Sequence, residues 1–551
     1  MTKPIDHAPT TEGQITRARR YALLVLITVL GLLYIGFIAT TANHAIIESH
    51  SFRQTQTAIS TYYLIEDGLT FNYITPVFGT PWTIPFEAPI YQISVALFAK
   101  ISPLGLDANG RIVSALYWLG CLILGYRILW YLFPARKTTA RIFIILALCS
   151  PLYIFWSRTF MIETTALFFG LGFLYALMRF TDKGGWIAAI TATLLGVLCV
   201  LTKATTWPVF VVAGGIYYLL QNKAVITALR PATLTTADTI TTIKRGAVLL
   251  IAVLIALYIG LSWTTHTDVL KKQSMVGFFL ASDNLSLWNF GDMSTRFTKE
   301  FWIDLIKDRA IPEAIGQFWW VAVFLFIALL ALRNRASHWR KTLTLTFTSI
   351  LLFLLPMVLF ANLHIQHEYY QAANSIFLIA AVASVIGALL EAGKHFKIIG
   401  SLGLVAVVAG QIITFTDGYY KLTTNPSEFT DQPPHQIALL VKERVSTHGT
   451  LMTLGLDWSS HVFYYGQRKG MAVPLWIEQG YIKMIMDRPS RVLGEKPLAG
   501  IVDCIYKEHS KDYPIEQALM DQFIEDSITD PKTRWDRVEA GYCTLHYRID
   551  L

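Results

Sequence analysis

Charged residues are scarce in this sequence: only 15% of its 551 residues are Asp, Glu, Lys or Arg, where an ordinary soluble domain has about 25%. Hydrophobic residues make up 54% of the chain, which also excludes a disordered protein. The 35 glycines have no fixed period, which excludes collagen, and five cysteines are too few for a small disulfide-stabilised protein. With a mean hydropathy of +0.45, the composition predicts a polytopic α-helical membrane protein.

The basic residues are dispersed along the chain. There are 46 Lys and Arg against 38 Asp and Glu, which gives a net charge of +8. A nucleic-acid-binding protein would gather its basic residues into one patch, so we expect no nucleic-acid partner. Short basic clusters between apolar runs are instead typical of the cytoplasmic loops of membrane proteins.

Long apolar runs predict about eleven membrane spans. The first run, residues 21–41, is long enough to cross a bilayer, and residues 1–20 form a cytoplasmic tail before it. Ten further runs lie at 111–133, 142–157, 160–178, 186–202, 206–221, 246–263, 317–332, 343–361, 374–391 and 398–415. Alternate threading places the basic clusters in every second loop. The run at 89–104 breaks this alternation, and we interpret it as interfacial or re-entrant; two short spans there, thirteen in all, are the alternative.

The chain divides into two regions. Residues 21–415 contain the spans, with long outer loops at 42–110 and 264–316. Residues 416–551 are mixed and charged, and they have the size of one soluble domain. Short β-rich runs alternate with helical patterns there, which predicts an α/β domain on the outer face. This region has no phosphate-binding loop and no metal-ligand spacing, and we expect no nucleotide cofactor.

The C-terminal region contains two of the five cysteines, Cys504 and Cys543, and both fall in predicted strands. An oxidising outer compartment favours a disulfide between them. Two unpaired strand thiols are the alternative, because sequence spacing alone does not fix disulfide geometry.

Ionisable residues at a membrane edge are costly and are therefore candidates for function. The predicted topology places the unusual ones in loops on the outer side. They are Glu48, His50, Arg53, Glu66, Asp67, Glu87, Arg158, Glu163, Lys203, His364, His367 and Glu368. A channel or transporter would hold such charges near mid-span, so their position favours a site at the level of lipid headgroups.

The motifs in these loops resemble those of a known enzyme family. They are His50-Ser51-Phe52-Arg53, Pro85-Phe86-Glu87-Ala88-Pro89, Arg158 five residues before Glu163, Leu201-Thr202-Lys203 and His367-Glu368-Tyr369-Tyr370. Their order is similar to that in GT-C glycosyltransferases of the protein O-mannosyltransferase and lipid A aminoarabinose transferase type. These are membrane enzymes that take a sugar from a polyprenyl-phosphate donor. Two positions depart from the family: His50-Ser51 replaces an Asp-Glu pair, and Ala88 replaces a Lys.

The resemblance implies roles for these residues. Cations stabilise the charge that develops on a departing phosphate, and the candidates are Arg53, Lys203, Arg158 and His367, with Tyr369 and Tyr370 beside them. A carboxylate accepts the proton of the acceptor hydroxyl. Glu87 is the predicted base, with Glu163, Glu48 or His50 as second group. A divalent cation held by Glu87 and His50 is a candidate cofactor whose identity the sequence does not specify.

Each candidate also has a structural interpretation. Glu87 would cap a helix or pair with Arg53, and Arg158 would form an ion pair with Glu163. Lys203 would extend from a helix end to the headgroups. His367, Tyr369 and Tyr370, in the loop at 364–370 that we call the late loop, would belong to an interfacial aromatic belt.

The expected function is that of an integral membrane glycosyltransferase. It would move a hexosyl or pentosyl group from undecaprenyl or dolichyl phosphate, with inversion, to a lipid, glycan or protein acceptor. We expect a monomer, surrounded by membrane lipids, in a bacterial inner membrane with its active site and C-terminal domain outside. The alternatives are a transporter or flippase of a lipid or glycan, and a non-catalytic, membrane-anchored glycan-binding partner.

Overall fold

The computed structural model describes residues 11–134, 137–223, 237–331, 339–505 and 509–551. It contains a large helical bundle and a smaller C-terminal domain built on a five-stranded sheet. The chain is thus a mostly helical, multi-pass membrane protein with a small sheet domain, as the composition predicts.

Long apolar helices form the frame of the bundle. Among the described residues, six are long and apolar enough to cross a membrane: Tyr21–Thr41, Leu106–Leu132, Glu163–Lys183, Ala237–Lys271, Trp339–Leu359 and Lys394–Thr424. Helices Glu300–Ile315 and Trp320–Ala331 meet at 80° and would give a seventh crossing if they form one broken span. Gly316 lies at that bend with a φ of 84°, where a Cβ would fall 2.2 Å from the backbone nitrogen of Gln411.

Shorter helices fill the space between these spans and build the loops. They are Ser51–Glu66, Ile90–Ala99, Lys137–Cys149, Pro151–Trp156, Trp186–Thr202, Trp207–Gln221, Ser286–Phe290, Ala361–Gln366 and Ser375–Leu390. Helix Ile90–Ala99 has 10 residues and is therefore only about 15 Å long, half of the hydrocarbon thickness.

The predicted count of eleven spans, or thirteen, is not confirmed, although every predicted run contains helix. The run at 142–157 is divided before Pro151, which lacks the N–H that a helix interior requires. The run at 206–221 gives a helix of 15 residues, whereas a span needs about 20. An apolar run shows that a segment avoids water, but packing against other helices and contact with lipid produce the same apolar run. Helix Lys137–Cys149 is an example, because other parts of the protein bury most of its length.

The C-terminal sheet is mixed. Its strands are β1 Thr450–Leu454, β2 Gly470–Val473, β3 Leu498–Asp503, β4 Trp535–Ala540 and β5 Cys543–Arg548, in the order β2-β1-β3-β5-β4. Strand β1 is parallel to β2 and β3, and β5 is antiparallel to β3 and β4. The β-rich runs of the sequence at 450–456, 471–474, 500–506 and 541–549 predict four of these strands. They miss β4, an edge strand in which three of six residues are charged. Helices Pro433–Arg444, His461–Gly466, Gln479–Asp487 and Pro514–Thr529 complete the domain.

A disulfide joins the C-terminal end of β3 to the start of β5. It links Cys504 and Cys543, which are separated by 39 positions in the sequence. The two strands are antiparallel neighbours in the sheet, so the bond holds the hairpin of β4 and β5 against the parallel part of the sheet.

The first loop joins the sheet domain to the bundle. Backbone nitrogens of Gly470 and Ala472 in β2 donate to the carbonyls of Pro76 and Val77, both at 2.9 Å. The loop thereby covers the free edge of β2. Side chains of the loop and the domain also share one apolar cluster, which fixes the loop between the two parts of the molecule.

Candidate active site

Arg53 and Glu87 form an ion pair in the first loop. Arg53 lies in the first turn of helix Ser51–Glu66, and its second guanidinium nitrogen donates to Gln56 at 2.5 Å. Burial opposes the positive charge, but Glu87 outweighs it and raises the pKa of Arg53 above its ordinary value. Both side chains keep some exposure, 15% and 25%, so the pair is partly accessible to solvent.

The peptide around Glu87 is held by three other elements. Tyr73 accepts from the Phe86 nitrogen at 2.8 Å and donates to the Glu87 carbonyl at 3.1 Å. The indole of Trp263, about two turns before the end of helix Ala237–Lys271, donates to the Phe86 carbonyl at 3.0 Å. The Ala88 nitrogen donates to the carbonyl of Leu201 at 3.0 Å. Glu87 is therefore fixed between two apolar helices, beside the end of one of them.

Lys203 and Glu163 form a second ion pair, at 2.7 Å, which is almost completely buried. Glu163 begins helix Glu163–Lys183, where the helix dipole favours a negative charge. The ammonium of Lys203 lies 3.7 Å from the centre of the Tyr370 ring and 5.1 Å from that of Tyr369, and burial lowers its pKa. Lys203 thus points inward and does not extend to the headgroups.

The two ion pairs and the aromatic rings beside them form one cluster of interacting side chains, the pocket. The charge of Arg53 interacts with Glu163 as well as with Glu87, and Lys203 interacts with Arg53 and Glu87. Lys271 adds a third cation, with its ammonium 5.1 Å from the Phe86 ring. The pocket therefore combines cations, carboxylates and aromatic rings in a low-dielectric setting.

Glu48 lies deeper, between two arginines. Arg111 binds both of its oxygens, at 2.7 and 2.9 Å, and Arg158 binds one at 3.0 Å. Burial opposes the charge of Glu48, but the two guanidiniums hold its pKa below the ordinary value of 4.5. Arg158 contacts Glu48 while Glu163 contacts Lys203, so two other pairs replace the predicted Arg158–Glu163 pair. Glu48 is thus engaged with both Arg111 and Arg158.

His50 lies at the start of helix Ser51–Glu66 and contacts the late loop. Its Nε2 forms a hydrogen bond with Oε2 of Glu368. The surrounding aromatic cluster consists of Phe52, Trp156, His367 and Tyr369, with ring centres between 5.1 and 5.9 Å from that of His50. Burial opposes the charge of Glu368, but His50 lowers its pKa.

His367 does not carry the positive charge that the sequence predicts. Burial, together with the nearby His50, lowers its pKa to about 3, so the ring is neutral at neutral pH. It stacks on Tyr369 and Tyr370, at 5.2 and 6.0 Å between ring centres. His367 therefore contributes an aromatic surface to the pocket.

The side chains do not fit a bound metal ion in this arrangement. Within the described ranges, no group of three or more His, Cys, Asp or Glu residues could hold one. The two predicted ligands are engaged elsewhere, Glu87 with Arg53 and His50 with Glu368.

Two cations of this region are missing from the sequence prediction. Arg111 is the first residue of a predicted apolar run, and the cost of a charge at that position is a signal that identifies it. Lys271 follows the predicted span at 246–263 by more than two helical turns. Nothing in the local sequence indicates that it returns to the first loop.

No family model and no curated protein matches this sequence. Solved structures do match it over nearly its whole length. The crystal structure of ArnT from Cupriavidus metallidurans bound to undecaprenyl phosphate is 13% identical, with a TM-score of 0.55, over 95% of this chain and 97% of that one. The archaeal oligosaccharyltransferase AglB from Archaeoglobus fulgidus, in complex with an inhibitory peptide and a dolichol-phosphate, is 10% identical, with a TM-score of 0.53, over 89% and 70%. At these identities the likeness is one of fold, and this chain has the ArnT-like GT-C fold that its loop motifs predict.

Proposed function

We propose that this chain is an integral membrane glycosyltransferase that moves a sugar from a polyprenyl-phosphate donor to an acceptor at the outer leaflet. The observation that carries the proposal is the pocket in which Arg53 and Lys203 converge beside Tyr369 and Tyr370. It lies at the ends of apolar helices in a fold whose matched structures contain undecaprenyl phosphate and dolichol-phosphate.

The chemistry needs cations at this place. When the bond between the anomeric carbon and the donor phosphate breaks, its electron pair stays on the phosphate, which gains a negative charge. Arg53 binds phosphate oxygens with a planar fork of donors and Lys203 with a point charge. Both cations act where water is largely excluded, so the attraction of each to the phosphate charge is stronger than it would be in solution. Direct displacement by the acceptor hydroxyl inverts the anomeric centre.

The carboxylates then position the cations. Glu87 holds Arg53, and Glu163 holds Lys203. Arg53 retains free donor capacity, since a guanidinium has five N–H groups, so a phosphate can bind without separating the pair. In this proposal Glu87 acts through Arg53, although the sequence alone favours it as the base.

Two features support the orientation that we propose. The sheet domain and the pocket lie at the same end of the bundle, joined by the first loop. Basic residues such as Lys183 and Lys394 lie at helix ends on the other side, which the positive-inside rule assigns to the cytoplasm. We therefore place the protein in a bacterial inner membrane with the pocket facing the periplasm, acting as a monomer on a lipid, glycan or protein acceptor.

A transporter is less well supported. Transporters hold their charges near mid-membrane, between broken helices. Here the residue after Glu87, Ala88, donates to Leu201 in the last turn of helix Trp186–Thr202, and Lys203 directly follows that helix. Charges at helix ends suit a reaction on a headgroup better than passage through the bundle.

The test is release of free polyprenyl phosphate by the purified full-length protein from a panel of polyprenyl-phosphate monosaccharides, with membrane extract as acceptor. We expect release from at least one donor, which also identifies the sugar. Arg53→Gln and Lys203→Gln should each reduce kcat/KM about 100- to 1,000-fold. The matched control is Lys100→Gln, because Lys100 is an exposed lysine of the same loop.

The carboxylates are tested in parallel. Glu87→Gln should lower kcat/KM because Arg53 loses the group that orients it, whereas Glu66→Gln, at an exposed position of the same loop, should not. If a folded wild-type protein releases polyprenyl phosphate from no donor, the proposed function is wrong. If both cation variants turn over like the wild type, the phosphate site lies elsewhere.

A further inference from the structure

The pocket contains several groups that could accept a proton, and their partners distinguish them. Glu87 is paired with Arg53, Glu163 with Lys203, and Glu48 with two arginines. A carboxylate that neutralises a cation is a weak proton acceptor, because taking up the proton leaves that cation unpaired. His50 has the opposite arrangement, since its partner is a carboxylate.

We propose that His50 is the general base that takes the proton of the acceptor hydroxyl, and that Glu368 is the residue that positions it. The inference rests on the proposed glycosyltransferase function, and it assigns within that function a catalytic pair that replaces the first-loop acid absent from this chain.

The hydrogen bond to Glu368 selects one tautomer of the neutral imidazole. An ionised carboxylate can only accept, so the proton of the neutral ring belongs on Nε2, beside Oε2 of Glu368, and the lone pair belongs on Nδ1. An imidazole held by a carboxylate in this way is in the tautomer that a base needs, and the carboxylate stabilises the imidazolium that forms.

The backbone also fixes His50. Its φ of 48° and ψ of 45° lie in the left-handed region, where residues other than glycine are uncommon. Its carbonyl accepts from the nitrogens of Arg53 and Gln54, at 3.0 and 3.2 Å, at the start of the helix. Strained backbone of this kind persists where the surroundings enforce it and is frequent at active sites.

His50 lies close to the phosphate-binding cations. Its ring centre is 5.1 Å from that of Tyr369, and the same Tyr369 ring centre is 5.1 Å from the Lys203 ammonium. The centre of the His50 ring is therefore separated from the Lys203 ammonium by at most the sum of these two distances. A sugar with its phosphate on Lys203 can present its anomeric carbon toward His50.

Proton transfer to His50 accompanies the displacement at the anomeric carbon. The acceptor O–H gives its proton to Nδ1 of His50 while the oxygen forms a bond to the anomeric carbon. The bond from that carbon to the phosphate oxygen breaks, and the electron pair leaves with polyprenyl phosphate. The imidazolium, stabilised by Glu368, then releases its proton to water. The other groups around the pair are the neutral ring of His367, the guanidinium of Arg309, the carboxyl of Glu313 and the phenol of Tyr419. The charges of Arg53 and Lys203 act on the neighbouring His367.

The decisive variant is His50→Gly, because glycine adopts the left-handed backbone freely and leaves a space for a free imidazole. We expect kcat to fall about 100- to 10,000-fold, with the KM for the donor little changed, and added imidazole to restore a measurable part of kcat. A structural role would give no rescue. The control is His448→Gln, at an exposed position of the sheet domain.

The role of Glu368 is tested by the pH dependence of kcat in two variants. Glu368→Gln removes the negative charge that stabilises the imidazolium, so the acidic limb of kcat should move to lower pH and kcat should fall at least tenfold. Glu368→Asp should recover part of the rate. If His50→Gly does not fold, the proposal is tested by kcat of His50→Gln and by the pH dependence of kcat in the two Glu368 variants.

The failures are distinguishable. A wild-type protein that uses no donor overturns the proposed function, and the pair with it. An active wild type whose His50→Gly or His50→Gln variant retains kcat within about threefold overturns the pair alone. An unchanged pH profile in Glu368→Gln overturns the role of Glu368.

Discussion

Replacing Glu48 by Gln is expected to destabilise the protein strongly. Arg111 is completely buried and Arg158 is 1% exposed, so neither guanidinium can turn to water when its carboxylate is lost. Removing one partner of a buried ion pair leaves an uncompensated charge and costs about 3–5 kcal/mol. We expect a loss of unfolding free energy in that range, because Glu48 serves two arginines and Gln keeps only part of the hydrogen bonding.

Arg158→Gln should cost less than Glu48→Gln. Glu48 would keep its two-point contact with Arg111, and one of two mutually repelling cations would be gone. The double variant should therefore be less destabilised than the sum of the single ones. This comparison separates a structural Arg158 from the phosphate-binding Arg158 that the sequence predicts, since the latter would affect the donor KM and leave stability unchanged.

The assay is chemical or thermal unfolding of the full-length protein in one detergent, with Glu66→Gln as the control at an exposed site. The pH dependence gives a second readout. Because the pKa of Glu48 is lowered in the folded protein, its contribution to stability is complete above the ordinary pKa of 4.5 and is lost as the pH falls through the lower folded value. A Glu48→Gln protein that unfolds within about 1 kcal/mol of the wild type would refute the reasoning.

Two further predictions concern the scaffold. Replacing Cys504 and Cys543 together by Ala should lower the unfolding free energy of the sheet domain by about 4 kcal/mol. This is the chain-entropy value for a loop closed across 39 positions. The measurement is the unfolding transition of that domain in the full-length protein, and an unchanged transition would contradict the prediction. Gly316→Ala should cost about 1–3 kcal/mol, because φ is 84° and a Cβ would meet the backbone of Gln411 at 2.2 Å. Gly393→Ala, where nothing lies within 4 Å of the added Cβ, is the matched control, and equal stability of the two variants would be the contrary result.

The sequence predicts the general fold because both of its signals are local. Apolar runs mark helices, and the loop motifs carry the resemblance that the matched structures confirm at the level of fold. The number of spans is less accessible, because a helix such as Lys137–Cys149, buried among other helices, is as apolar as one facing lipid. Membrane crossing depends on where a helix lies in the bundle, which hydropathy does not record.

The partners of the candidate residues are beyond the reach of local sequence. Glu48 lies 63 positions from Arg111 and 110 from Arg158, and the distance along the chain gives no reason to prefer these pairs over the pair of Arg158 with Glu163. The candidates were identifiable because ionisable groups at apolar edges are costly. Their roles depend on which charges face each other, and only the folded loops determine that.

Position 50 shows how such a pairing changes the interpretation of one substitution. In the family that the motifs resemble, an acidic pair stands at His50-Ser51, so the chain has lost negative charge from its first loop. Glu368, 318 positions later, places a carboxylate against the imidazole at that point. The late loop thus supplies a carboxylate at this point, and in the proposed reaction the proton acceptor is an imidazole instead of a carboxylate. The imidazole of His50 alone lacks the negative charge of the family's acid. Together with Glu368, it forms the pair that we propose as the base.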